Sequence, residues 1–321
     1  MRGAAPAPLQ GIVTNTAYSS AQRGAQWLLD RLTPEGSITG GAHLNSYYKL
    51  PCALAATGHP IEAERVLDHV TSRFLQPGGD LDGAGVPWFD QFRIYPHAWL
   101  AYTAAARGRW ELARPLLAFL MRAHHGDSGA FAARTDQTEE IMTTAMAGIA
   151  ALWCGHIDVA RGVAEWLERM WVAQPDIRRG LYHVWHPGKG LATEFPADRQ
   201  VWFQVDASRP KQWYFQYGIS AALLSQLTAI TGETRWLSLA QQYLHASKHC
   251  QPDVYRTAQA GKIGWGAAWT YRLTRDEQEA TLARTVVDGL LALQTADGSW
   301  NEPAYDTDTC IDVTAEMTAL Q

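Results

Sequence analysis

Asp312 and Glu316 stand four residues apart in the segment Asp312-Val313-Thr314-Ala315-Glu316. On a helix that spacing puts both carboxyls on one face, a turn apart. A carboxyl group surrounded by apolar and aromatic side chains has its ionised form disfavoured, so it keeps its proton and can donate it. Asp312 is therefore the candidate general acid, with Glu316 beside it to tune or orient it. Three further ionisable residues are candidates for acid or base work: Glu140, His97 and Lys262. Each also has an ordinary structural reading. Glu140 opens a helix and can cap it, and His97 suits a hydrogen-bonded core position. Lys262 lies between Gly261 and Gly264 on a stretch of small residues, where a buried lysine has few structural uses.

The chain carries 14 Trp and 12 Tyr, more large rings with polar handles than a core alone requires. Rings of this kind can line a cavity and stabilise a cation by their faces. The candidates for substrate contact are Tyr47, Tyr48, Tyr95, Trp213, Tyr214 and Trp265, with Gln212 as a polar companion. No Gly-x-Gly-x-x-Gly follows a strand and no phosphate loop is present, so no cofactor is expected. The four cysteines (Cys52, Cys154, Cys250, Cys310) form no Cys-x-x-Cys pair. They read as thiols in a reducing cytosol. Neither Cys154-Gly155-His156 nor His249-Cys250 offers two ligands from one helix face, so no metal site is expected.

These residues must be positioned by a repeat. Small turns recur at Thr57-Gly58-His59, Arg107-Gly108-Arg109, Cys154-Gly155-His156 and Thr231-Gly232-Glu233, with Thr274-Arg275-Asp276 in the same slot. A glycine there supplies the left-handed residue that ends one helix before the next begins. Between these turns lie longer Pro/Gly/Asp connections, six in all. The pattern predicts six helix pairs. The outer helices fall near 18–32, 60–75, 109–123, 157–173, 233–248 and 276–294. The inner ones fall near 44–57, 91–107, 137–153, 211–231, 259–273 and 310–321. The inner set is rich in alanine, which permits close packing about an axis; the outer set shows charged faces. Six such hairpins bury their apolar faces by stacking and closing, which predicts an all-α (α/α)6 barrel. The extra segment 176–210, with aromatic and β-branched runs around Pro187-Gly188-Lys189-Gly190, reads as a β-hairpin near 180–196 that could cover one mouth. Residues 1–17 read as a flexible arm and 18–321 as a single toroid domain. The long connections precede the inner helices, so the site is expected at their N-terminal ends. Asp306 and Asp308 are cap candidates there.

The segment Asp312-Val313-Thr314-Ala315-Glu316 resembles the Asp-Cys-Thr-Ala-Glu signature of oxidosqualene cyclases at four of five positions. Gln294-Thr295-Ala296-Asp297-Gly298-Ser299-Trp300 resembles the Gln-Trp repeat of squalene and oxidosqualene cyclases and of protein prenyltransferase β-subunits. The resemblance implies a toroid of that superfamily. It also implies an aspartic acid, here Asp312, that protonates an alkene or epoxide among aromatic rings. The chain departs from the pattern in having one toroid rather than two, Val313 in place of the cysteine, and only a partial echo of the multi-aspartate motif in Asp306-Thr307-Asp308-Thr309.

A net charge of −5 without a basic cluster argues against nucleic acid and anionic membranes as partners. No apolar run reaches the ~20 residues of a membrane span. The start of the chain does not read as a secretory signal, so a cytoplasmic location is expected. The expectation is a cyclase, isomerase or lyase type enzyme acting on a small hydrophobic isoprenoid or secondary-metabolite intermediate. The alternatives are a carbohydrate-active (α/α)6 enzyme, a glycoside hydrolase or sugar epimerase, and a non-catalytic toroid that binds a hydrophobic ligand. Fold alone does not choose among them.

Overall fold

The computed structural model describes residues 15–133 and 137–320. Among these, twelve α-helices alternate between two layers. The outer layer holds α1 (Asn15–Leu29), α3 (Pro60–Arg73), α5 (Trp110–Met121), α7 (Ile157–Val172), α9 (Arg235–Ala246) and α11 (Glu277–Leu293). The inner layer holds α2 (Leu50–Ala56), α4 (Ile94–Ala106), α6 (Ile141–Trp153), α8 (Phe215–Thr231), α10 (Gly261–Thr274) and α12 (Thr307–Leu320). Each inner helix packs on the next, and α12 packs back on α2, so the ring closes. This is the (α/α)6 barrel that the repeat pattern predicts.

The layers differ in pattern because they differ in surroundings. In α7 the buried positions Ala160, Val163, Ala164, Leu167 and Met170 follow the helical stripe, with charged residues opposite. In α6 every residue from Ile141 to Leu152 is buried, since this helix has neighbours on all sides. The short turns between paired helices place Gly58, Gly108, Gly155 and Gly232 at positive φ (89°, 74°, 87° and 75°). A Cβ at any of these four would meet open space; the glycines are there for conformation, not room. Arg275 occupies the same slot at φ 59°.

Ring closure uses the C-terminal motif. Gln294 donates from Nε2 to the Ser20 and Gly298 carbonyls and accepts from the Ser20 hydroxyl, tying the end of α11 to α1. Trp300 is buried, donates its indole N–H to the Leu290 carbonyl, and donates its backbone N–H to Thr314 Oγ1 on α12. Asp306 accepts from the Thr309 N–H and so caps α12. Asp308, expected as a cap, instead accepts from the Ala42 and His43 N–H groups and the Ser46 hydroxyl, latching α12 to the loop before α2.

Several boundaries differ from expectation; α8, for one, starts at Phe215 and not near 211. Helix α2 starts only at Leu50, because Pro51 sits in its first turn, where its missing N–H costs nothing; Leu44–Ser46 forms a separate 3-10 turn. Helix α6 starts at Ile141: after the short strands β1 (His124–His125) and β2 (Ala130–Phe131), which pair with each other, Glu139 and Glu140 form strand β3 against the 176–210 segment. The β-hairpin is shorter than 180–196. Strands β5 (Val184–His186) and β6 (Gly190–Leu191) pair across the Pro187-Gly188 turn, and β5 pairs on its other side with β3. Strand β4 (Gly180–Tyr182) pairs instead with β7 (Gln204–Asp206). Most of the arm expected over 1–17 lies outside the described residues, and α1 begins at Asn15.

Helices α8 and α10 approach most tightly at Gly218, where an added Cβ would lie 2.1 Å from the Lys262 carbonyl carbon and oxygen. Gly218→Ala is therefore expected to lower stability by about 1–3 kcal/mol, with the backbone under Lys262 forced to move. Urea unfolding measures this; an unchanged midpoint would mean that the two helices tolerate separation.

Candidate active site

A cavity of about 310 Å³ lies within the ring. All six inner helices reach it, directly or through the residues just before them: Lys49 ahead of α2, Tyr95 on α4, Met142 on α6, Phe215 on α8, Lys262 on α10, and Asp312 with Glu316 on α12. A larger depression of about 600 Å³, bordered by Arg178, Arg179, Asp206 and His249, takes nothing from any inner helix. It lies among the loops, outside the ring.

One wall of the cavity is charged. Asp312 and Glu316 project from one face of α12, as their spacing predicts. Lys49 Nζ donates to Asp312 Oδ2 at 3.0 Å and also pairs with Glu316. Lys262 Nζ pairs with the other Glu316 oxygen. The side chains of Lys49 and Lys262 are 5% and 3% exposed, those of Asp312 and Glu316 16% and 10%. Asp312 Oδ1 is buried without a hydrogen bond.

The two carboxyls titrate in opposite directions. Burial pushes Asp312 up, and the Glu316 charge adds to it against the pull of Lys49. Burial also acts on Glu316, but the ammonium groups of Lys262 and Lys49 outweigh it and hold Glu316 at about 2. The lysines diverge too. Burial opposes the charge on Lys49, yet Asp312 and Glu316 together raise its pKa. Burial wins at Lys262, which faces one close carboxylate and is drawn down. Glu316 is thus a fixed anion between two cations, and Asp312 is the member of the set biased toward holding a proton.

The rest of the lining is largely aromatic. Phe92 and Trp202 stack with centroids 6.0 Å apart and planes 4° apart, and Trp213 meets Trp202 edge-on at 4.6 Å. Trp88 meets Tyr48 edge-on at 5.9 Å. Trp202 comes from the last residue of a 3-10 turn, Ala197–Trp202. The extra segment therefore contributes to the cavity through this ring and not through its hairpin. Nearer the charged wall, Lys49 Nζ lies 4.9 Å from the Tyr48 ring, and Lys262 Nζ lies 5.3 Å from Phe215 and 6.0 Å from Tyr95.

Of the residues singled out from sequence, Asp312, Glu316, Lys262, Tyr48, Tyr95 and Trp213 come together in this cavity. The others sit elsewhere. His97 is fully buried against Phe119 (centroids 4.2 Å) with Nδ1 on the Arg93 carbonyl and Nε2 3.2 Å from Asp80. Glu140 caps α6 through the Met142 and Thr143 N–H groups and takes hydrogen bonds from Thr143 Oγ1 and Gln216 Nε2. It lies behind the cavity wall with His183 and anchors the extra segment to α6 and α8. The Tyr47 hydroxyl donates to the Gly41 carbonyl while its ring packs on His69 and Phe74. The Tyr214 hydroxyl donates to Asp253. Gln212 accepts from Gln200 and from the Asp206 N–H. Trp265 stacks on Trp99, away from the cavity. Sequence reasoning did not single out Trp88, Phe92, Trp202 or Phe215. Lys49, the charged residue that opens the apolar run Leu50 to Leu54, joins the cavity from just before α2. Among the described residues, no group of three or more His, Cys, Asp or Glu side chains is placed to hold a metal ion. None of the helices is long and apolar enough to cross a membrane.

No family model and no curated protein matches the chain. Solved structures do. D-mannose isomerase is similar with a TM-score of 0.69 at 12% identity, covering 99% of both chains. The GH76A α-1,6-mannanase of Salegentibacter sp. HEL1_6 is similar at 0.63 and 14%, covering 94% of this chain and 98% of its own. The type II terpene cyclase MstE of Scytonema, solved with its product merosterolic acid A, is similar at 0.61 and 14%, covering 95% and 96%. At these identities the likeness establishes the toroid fold, and all three are enzymes.

Proposed function

We propose that the protein is an acid-initiated cyclase, isomerase or lyase acting on a small hydrophobic substrate, with Asp312 as the proton donor. The observation that carries this reading is the state of Asp312. It is a buried carboxyl pushed toward its protonated form, with one oxygen unpaired, at the edge of an aromatic cavity. Lys49 engages Oδ2, which leaves Oδ1 to carry the proton. Transfer of that proton to an alkene, epoxide or carbonyl carbon skeleton creates a cation. The faces of Phe92, Trp202 and Trp213 lie where they can stabilise it. Loss of a proton from a neighbouring carbon then ends the reaction, so the net change is an isomerisation or cyclisation. Glu316 is a positioning residue: its fixed charge raises the proton affinity of Asp312 and orients both lysines.

A carbohydrate substrate is the second reading, favoured by the full-length likeness to a mannose isomerase and a mannanase. Against it, the two cavity carboxyls share one helix instead of facing each other across the space, the arrangement that glycoside hydrolysis uses. Among the described residues, no histidine borders the cavity. The test incubates the protein in D₂O with isoprenoid polyenes and their terminal epoxides, and separately with mannose and α-1,6-mannobiose. Conversion of a polyene to a product carrying one carbon-bound deuterium is expected, and of an epoxide to a product whose added deuterium sits on the new hydroxyl and exchanges back in water. Turnover of the sugars alone would replace this reading with the second one. Binding without turnover of either class would leave a ligand-binding toroid.

A further inference from the structure

The charged wall has a feature that the proton transfer does not use. Lys262 is 3% exposed and borders the cavity. Its Nζ makes a single hydrogen bond, to Glu316, of the three an ammonium can donate. The Tyr95 hydroxyl, which also borders the cavity, is buried without an acceptor for its proton. Unmet polar groups that border an open cavity mark a place for something else. The charges point the same way. With Asp312 protonated, the wall holds Lys49 and Lys262 against Glu316 alone, leaving one positive charge without a counterion in an apolar space.

We propose that the cavity takes an amphipathic substrate whose head group is a carboxylate, seated on Lys262 and Tyr95, with its apolar body against Phe92, Trp202 and Trp213 and the Asp312 proton left for the reaction. This rests on the acid reading, because the surplus charge exists only when Asp312 is neutral. Lys262 and the Tyr95 hydroxyl both have protons left to donate, and a carboxylate offers acceptors only. One surplus charge matches a monoanion; a phosphate dianion would exceed it, and among the described residues no arginine borders the cavity to share the load. The rings nearest the lysines already face ammonium groups, whereas the Phe92–Trp202–Trp213 cluster is free to receive hydrocarbon. The anion also supplies the second neighbour that Lys262 lacks and holds its proton in place.

The experiment measures binding of decanoate, decanol, methyl decanoate and decyl phosphate by isothermal titration calorimetry, with tryptophan fluorescence as a second readout. The wild type is expected to bind decanoate at least about 10-fold tighter than the alcohol or the ester. Lys262→Met removes that preference while leaving decanol affinity unchanged, which also shows that the cavity is intact; Lys262→Arg keeps it. Asp312→Asn has the same surplus charge as the protonated acid and is expected to retain the preference. A wild type and an Asp312→Asn variant that both bind decanoate no better than decanol overturn the proposal. So does a preference that survives Lys262→Met, or tighter binding of decyl phosphate than of decanoate. A preference found in Asp312→Asn but not in the wild type means that Asp312 is ionised. That outcome removes the acid reading while keeping the carboxylate seat.

Discussion

Asp312→Asn is expected to lower turnover by about 10²–10⁴-fold while leaving the protein folded, the range over which a positioned general acid contributes. The substitution is nearly isosteric. Its amide oxygen can still accept from Lys49, as Oδ2 does at 3.0 Å, but an amide has no proton to give. The pH dependence follows from the direction of the Asp312 shift. Burial places its pKa above that of a free aspartate, and the acid works only while protonated. Wild-type activity therefore holds on the acidic side and falls as pH rises through that raised pKa. The Asn variant loses this limb. Stability follows the same titration. The folded-state pKa lies above the unfolded one, so ionising Asp312 costs stability as pH rises between the two values. Turnover and pH profile, measured with whichever substrate the D₂O experiment identifies, provide the check. A variant with the wild-type rate would remove Asp312 from the mechanism.

Lys49→Met is expected to cost about 3–5 kcal/mol of stability, because it breaks a buried ion network from the side that leaves charge uncompensated. Lys49 is the one cation in contact with both Asp312 and Glu316. Without it, two carboxyls a helical turn apart share Lys262 alone. The acid transition reports the change. Glu316 is held at about 2 against an ordinary value of 4.5. It therefore contributes stability that is fully present above 4.5 and lost as pH falls toward 2. In Lys49→Met that loss begins at higher pH, and the activity limb governed by Asp312 also moves up, since its main stabilising cation is gone. The double variant Lys49→Met with Glu316→Gln restores part of the stability, because it removes the stranded anion as well. Urea unfolding at several pH values separates these effects. A single variant within about 1 kcal/mol of the wild type would mean that water replaces the lysine.

Asp312, Glu316, Lys262, Tyr48, Tyr95 and Trp213 were all legible as cavity candidates, but Tyr47, Tyr214, Trp265 and Gln212 were indistinguishable from them by type and place. Tyr47 and Tyr48 differ by one residue. The first packs on His69 and Phe74 beneath the loop, and the second faces Tyr95 and Trp88. Neighbouring positions in a turn point in different directions, and near the mouth of a barrel no regular period says which points inward. Glu140 and His97 misled for another reason. Both carry chemistry-bearing groups, and both spend them on backbone and neighbouring side chains that only folding brings near.

The sequence by itself determined the twelve helices, their pairing and the side of α12 that carries Asp312 and Glu316. Those properties depend on periodicity and turn residues within about twenty positions of one another. The tertiary structure alone decided the partners. Lys49 meets Asp312 across 263 positions of chain, and Trp202 reaches Phe92 from an added loop. Whether an aspartic acid holds its proton depends on which charges and which rings surround it in space. That is a property of the closed ring, set only when α12 comes back to rest against α2.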